Sequence, residues 1–89
     1  MLQIERSNQF KKDVKKALKR GKNPGLLKEI IDSLVNGRPL PPRNRDHKLS
    51  GDYVNYRECH IEPDWLLIYY ATDSVLRLER TGSHADLFD

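Results

Sequence analysis

The sequence predicts an α+β domain in which an N-terminal strand and an antiparallel helical hairpin pack on a mostly antiparallel, twisted β-sheet. Three observations predict it. Helical periodicity of apolar residues is confined to the first part of the chain, an unbroken apolar run from Trp65 to Tyr70 reads as a strand buried on both faces, and period-two alternation lies on either side of that run. With 89 residues the chain is expected to form one domain over 1–89, because small domains bury only about 60% of the surface their unfolded chains expose and cannot be divided further.

Taken in order, Leu2-Gln3-Ile4-Glu5-Arg6 alternates and predicts a short first strand. Ser7 is a helix N-cap by type, since its hydroxyl can accept from a free N–H of the first turn. Phe10, Val14, Ala17 and Leu18 follow at i, i+4, i+7 and i+8 and share one helical stripe, while Lys12, Lys15, Lys16, Lys19 and Arg20 cover the other side. Gly21 supplies a left-handed C-terminal position, and Asn23-Pro24 opens a second helix as N-cap and first-turn proline. That helix carries a wide apolar stripe of Leu26, Leu27, Ile30, Ile31, Leu34 and Val35 and ends at Asn36-Gly37.

Three prolines between Arg38 and Arg45 remove backbone donors, so this basic connector is expected to be irregular and stiff. Asp46 to Ser50 predicts a short strand and Ser50-Gly51-Asp52 a turn. Val54 to His60 reads as a strand with one wet face, and Glu62-Pro63-Asp64 turns it into the buried Trp65 strand. His60 and Trp65 are thereby expected opposite one another at the hairpin tip, with Asp64 beside the His60 imidazole. Val75 to Arg80 alternates with Leu76 and Leu78 inward. In Thr81 to Asp89, Ser83 with Asp86 three positions later resembles a capping box, predicting a last helical turn from His84 whose free N–H groups can receive a phosphate oxygen.

Charge is unevenly placed. Residues 1–48 hold thirteen Lys/Arg against five Asp/Glu, a net +8, whereas residues 49–89 hold three against eight, a net −5. A basic half of this kind suits a polyanionic partner, because neutralising phosphates releases counterions; the competing explanation is a solvated lysine-rich helix face. One cysteine, Cys59, excludes an internal disulfide and fits a reducing cytoplasm. No signal peptide is legible and no apolar run approaches the ~20 residues of a membrane span, so a cytoplasmic protein without membrane contact is expected.

The chemistry-bearing residues are three histidines, His47, His60 and His84, each at or near the end of an element. Two imidazoles and a guanidinium suffice for metal-free RNA cleavage: a neutral ring removes the 2′-hydroxyl proton, a protonated ring delivers one to the departing 5′-oxygen, and Arg57 or Arg80 neutralises charge on phosphorus. The rival is a metal site, since His47, His60, His84 and Asp64 are zinc ligands by type, although no tight spacing such as H-E-x-x-H is present. No cofactor is expected. Trp65 is either plain core or a platform for an unpaired base, and Phe88 a second such ring.

The blocks Asp46-His47-Lys48-Leu49, Tyr56 to Tyr69 with its Arg57-Glu58-Cys59-His60-Ile61-Glu62-Pro63-Asp64-Trp65 core, and Arg80 to Phe88 resemble the signature blocks of YafQ-type toxins in the RelE superfamily. The resemblance spans nearly the whole chain. It implies a RelE-like fold and a ribosome-dependent mRNA endonuclease of a type II toxin–antitoxin system, neutralised by a cognate antitoxin. It also places functional positions on His47, His60, Asp64, Trp65, His84 and Phe88.

On this reading His47, His60, Asp64 and His84 are catalytic, with Asp64 orienting His60. Arg57, Trp65, Arg80 and Phe88 bind substrate, and Lys12, Lys15, Lys16, Lys19, Arg43 and Arg45 contact ribosomal RNA of the decoding site. The partners are antitoxin, ribosome and mRNA, with operator DNA for the antitoxin complex. The alternatives are a non-catalytic protein of the same fold that poisons another target such as a topoisomerase, and a co-repressor acting with the antitoxin.

Overall fold

A computed structural model describes residues 1–88. Five strands form one sheet in the order β1-β5-β4-β3-β2, where β1 is Gln3–Arg6, β2 His47–Lys48, β3 Arg57–Glu62, β4 Trp65–Ala71 and β5 Val75–Gly82. Helices α1 (Asn8–Lys19) and α2 (Pro24–Val35) follow β1, and a short α3 (His84–Phe88) ends the described chain. Only β1 runs parallel to its neighbour; the other pairings are antiparallel. The α+β architecture expected from periodicity is the one observed, and Asp89 lies outside the described residues.

Each helix forms where its caps direct it. Ser7 Oγ accepts from the Phe10 N–H at 2.9 Å and donates to the Glu79 carbonyl at 2.6 Å, so the cap also ties α1 to the sheet. Gly21 takes φ +83°, and Lys22 N–H reaches back to the Ala17 carbonyl, closing the turn into Asn23, which caps α2. α1 lies over β5 and α2 approaches β3. Leu18 departs from the expected stripe and is exposed, while Asp13, on the same helix, is buried.

The sheet has two different faces. Against the helices, Phe10, Ala17, Leu27, Ile30 and Val35 pack with Cys59, Trp65, Leu67, Tyr69, Leu76 and Leu78. On the other face Leu66, Ile68 and Leu87 form a smaller cluster flanked by Leu49, Tyr53 and Tyr56. Both faces of β4 are covered, as its unbroken apolar run requires. Among the described residues no helix is long and apolar enough to cross a membrane.

Several local expectations are corrected. The proline connector is not wholly irregular, because Pro42–Asn44 forms a 3-10 turn, with proline at its first position where the missing N–H costs nothing. β3 starts at Arg57, after a 3-10 turn at Gly51–Tyr53. A register shift between His60 and Glu62 sets Trp65 opposite Glu62 and leaves His60 opposite Leu66.

Candidate active site

The smaller face of the sheet collects the histidines. His47 pairs with Glu58 across β2 and β3, and His60 pairs with Leu66 across β3 and β4, so residues of one parity, Glu58 and His60, share the face on which α3 lies. Leu87 docks α3 onto Leu66 and Ile68, which brings His84 to the end of β4. Ring centroids of His60 and His84 stand 5.7 Å apart, and those of His47 and His60 6.4 Å. Three imidazoles from distant points of the chain thus line one rim.

Their nitrogens are committed differently. His47 Nδ1 lies 2.6 Å from the Arg45 carbonyl and His60 Nδ1 3.2 Å from the Pro63 carbonyl. A carbonyl only accepts, so each Nδ1 carries its hydrogen. The Nε2 atoms of both rings turn to one buried carboxylate, Glu58, at 3.4 and 3.6 Å. His84 is held by Asp64, 2.7 Å from its Nδ1, while its Nε2 has no partner among the described residues and its side chain is 55% exposed.

Asp64 therefore does not serve His60, as the hairpin reading required. The register shift carries the turn past His60, whose Nδ1 takes the Pro63 carbonyl instead, and Asp64 meets the start of α3, accepting from the backbone N–H of His84 at 2.9 Å. That backbone donor, then the imidazole, hold the Asp64 carboxyl below the usual carboxylate range. The expected phosphate site at the start of α3 is likewise not free, since the His84 N–H is taken by Asp64 and the Ser83 N–H by Asp86. The Ser83–Asp86 capping box forms as expected, with Ser83 Oγ accepting from the Asp86 N–H at 3.1 Å.

Trp65 is corrected from base platform to core. It is 2% exposed, its Nε1 donates to Thr81 Oγ1 at 3.0 Å, and Lys22 Nζ lies 5.9 Å from its ring centroid, which leaves too little surface for a base to stack on. Phe88 is 47% exposed and meets Tyr53 edge to face at 6.3 Å, at the end of a row continued by Tyr56 and Tyr70. Arg57 is half-buried and donates from Nε to Asp46 at 3.1 Å. Arg80 donates from Nε and Nη2 to Asp13 at 2.7 and 3.3 Å, which places a fixed guanidinium at the edge of the α3 face.

The basic residues flank the rim on two sides. Lys12, Lys16, Arg20 and Lys22 line a cleft beside Asp64 and Ser83, and Arg43 with Arg45 lines a recess beside His60. Lys12, Lys15, Lys16 and Lys19 are all exposed, but Lys16 is engaged, its Nζ 3.3 Å from Asp86. Arg45 adopts φ +47°, uncommon for a side chain of its kind, and this turns its carbonyl onto His47.

Residues missed from the sequence are Glu58 and Asn44. Asn44 is buried and donates to the His60 carbonyl at 2.7 Å, fixing β3 behind the ring. Glu58 was legible in principle, because two positions before His60 on a strand it must share that residue's face. Among the described residues no group of three or more His, Cys, Asp or Glu is arranged to hold a metal ion.

Comparison with known proteins gives consistent matches. Residues 2–89 match the family described as "Bacterial toxin of type II toxin-antitoxin system, YafQ". The mRNA interferase toxin YafQ of Escherichia coli strain K12 is 52% identical over 86 residues, covering 96% of this chain and 94% of that protein. The crystal structure of the E. coli DinJ-YafQ toxin-antitoxin complex contains a chain 50% identical, with TM-score 0.92 and coverage of 99% and 98%. A metal-bound toxin from Helicobacter pylori is 42% identical, with TM-score 0.92 and coverage of 99% and 100%.

Proposed function

Since the chain belongs to the YafQ family of bacterial type II toxin–antitoxin toxins, we propose that it is an endoribonuclease that cuts mRNA on the ribosome, with His84 as its proton-transfer group. The observation that carries this reading is the His84–Asp64 pair: a carboxylate fixes Nδ1 and leaves Nε2 open above the rim. A carboxylate in this place selects the tautomer and steadies the imidazolium, the relation seen in other proton-transfer sites.

In the proposed reaction the ribose 2′-oxygen attacks phosphorus as it loses its proton to a base, the P–O5′ bond breaks, and the 5′-oxygen takes a proton from an acid. The products are a 2′,3′-cyclic phosphate and a 5′-hydroxyl. His84 performs one transfer, worth about 10²–10⁴ in rate. His60, beside His84, and His47, one ring further along the rim, turn their outer nitrogens to Glu58 and serve the other transfer or the charge on the phosphate. Arg80 is the guanidinium nearer this purpose, and Phe88 offers a ring to the adjacent base. No step is routed through a metal, because among the described residues no group of three or more His, Cys, Asp or Glu is arranged to hold one.

Ribosome dependence is supported by the cationic flanks, where Lys12, Lys15, Lys19, Arg43 and Arg45 stand exposed for ribosomal RNA. A cognate antitoxin is the expected neutralising partner, as DinJ is found with E. coli YafQ, and the complex with that antitoxin is the form proposed to bind operator DNA.

The test is cleavage of a defined mRNA on programmed ribosomes by metal-stripped protein, comparing the parent chain with His84→Ala and His84→Gln. Loss of about 10²-fold or more in both variants, with cyclic phosphate ends, is the expected result. Unchanged cleavage in the variants, or 3′-hydroxyl ends, overturns the assignment. Intact mRNA in cells whose growth still stops would favour a non-catalytic target such as a topoisomerase.

A further inference from the structure

α3 carries His84 and Phe88 but has only five residues, far below the length at which a helix holds itself in water. Its position must come from contacts. With 3.6 residues per turn, His84 and Phe88 share one stripe, Leu87 adjoins it, and Asp86 points to the opposite side. Leu87 is the apolar anchor, seated on Leu66 and Ile68. Leu87 and the Asp64 bond to the His84 N–H hold one side of the helix and leave the other free to swing.

Asp86 supplies the second point. Its Oδ2 accepts from Arg20 Nη1 at 2.6 Å and from the Ser83 N–H at 3.0 Å, and its Oδ1 from Arg20 Nη2 at 3.2 Å and Lys16 Nζ at 3.3 Å. Arg20 is the residue that closes α1. A bidentate guanidinium fixes the carboxylate plane as well as its distance, which a lysine alone does not. The fit is close: a Cβ built on Gly82 would lie 2.9 Å from the Asp86 Cβ, so the first turn of α3 sits directly on the end of β5.

We propose that Asp86 is a positioning residue for RNA cleavage: clamped by Arg20 and Lys16, it fixes the roll of α3 and so holds His84 against Asp64. The inference rests on the proposed role of His84, two residues earlier in the same turn. Ser83, Gly82 and Asp86 form one side of the turn, Asp64 and Leu66 the other, and His84 emerges between them. Lys16, expected on sequence to contact ribosomal RNA, is assigned instead to this clamp.

The experiment uses the full chain with Asp86→Asn, Arg20→Ala and Arg20→Lys, each in the parent and in the His84→Ala background, with thermal unfolding as the check on folding. Single-turnover cleavage on programmed ribosomes gives the rate, and nitrogen NMR of the free protein reads the Nδ1 hydrogen bond of His84. Asp86→Asn and Arg20→Ala are expected to lower kcat by about 10- to 100-fold with KM within about twofold, the size of effect a 1 Å misplacement produces. Arg20→Lys restores part of it, the His84 signal moves with the loss, and neither variant slows the His84→Ala protein further.

Parent-like cleavage and an unmoved His84 signal in both variants overturn the proposal, as does an equal loss in the His84→Ala background. Movement of the His84 signal while His84→Ala itself cleaves normally leaves Asp86 as the positioner of the ring and removes His84 from the reaction. If Asp86→Asn fails to fold, Arg20→Ala, whose side chain is 45% exposed, decides the same question.

Discussion

The carboxylate of Asp64 lies 2.7 Å from Nδ1 of His84 and accepts from the backbone N–H of the same residue at 2.9 Å. One side chain at a hairpin tip thus caps the start of α3 and fixes the ring that α3 presents. Replacement by asparagine keeps an oxygen for the N–H but removes the charge that steadies an imidazolium. Asp64→Asn is expected to lower kcat by about 10- to 100-fold, part of the 10²–10⁴ that a full proton transfer supplies.

The pH dependence of the same pair follows from its sign. Asp64 is held below its unfolded value, so its contribution is complete above about pH 4 and is lost as pH falls through the lower folded value. The stability difference between the parent and Asp64→Asn should close as the pH falls from about 5 through that lower folded value. Denaturant titrations at several acid pH values check this, and a difference that stays unchanged down to about pH 2 would contradict it.

Glu58 is buried between two imidazoles, 3.4 Å from His47 Nε2 and 3.6 Å from His60 Nε2. Its carboxylate faces both rings at the nitrogens that their backbone contacts leave over, an attraction that holds when the rings are protonated. Glu58→Gln retains volume and removes the charge, and is expected to lower kcat by about tenfold or more while the fold survives. In a His60→Ala background the same substitution should cost less, because residues acting through one another are non-additive. Fully additive losses in the rate measurements would separate Glu58 from His60.

Trp65 distinguishes packing from binding. Its ring is buried on the helix side of the sheet, its Nε1 donates to Thr81, and Lys22 Nζ lies 5.9 Å from its centroid. Trp65→Phe leaves a void and an unmatched hydroxyl acceptor, with an expected cost of about 1–3 kcal/mol in denaturant unfolding. Well below its unfolding temperature the variant should cleave within about threefold of the parent. A large fall in rate with stability intact would return Trp65 to the substrate.

The fold was legible because its signals are local or periodic. Ser7, Gly21, Asn23 and Ser83 each act within a few residues of their own position, and the β4 run names itself as the central strand. The site was legible as residue types and a shared rim, since strand ends on one edge converge. Its partner assignments were not. One register shift between His60 and Glu62 moves Asp64 from the neighbouring ring to His84, and no sequence pattern announces a bulge of that kind. Asp13 and Asp86 reach partners 66 to 70 positions away, a pairing that only the packing of α1 against β5 and α3 decides.

Cys59 lies within the same block as His60 and is a nucleophile by type, yet it faces the helices. It is 0% exposed, and burial, with Asp46 and Glu58 nearby, pushes its thiol up to about 12. The thiolate is the reactive form, so the native protein holds almost none near neutrality. Alkylation by iodoacetamide at pH 7.5 should therefore follow the rate of unfolding, and modification should become fast only in denaturant. Cys59→Ala removes one sulfur from a close-packed layer, so it should reduce stability modestly and leave the cleavage rate of the folded protein within about twofold. Rapid native-state alkylation that also abolished cleavage would place the thiol in the reaction and displace the imidazoles from it.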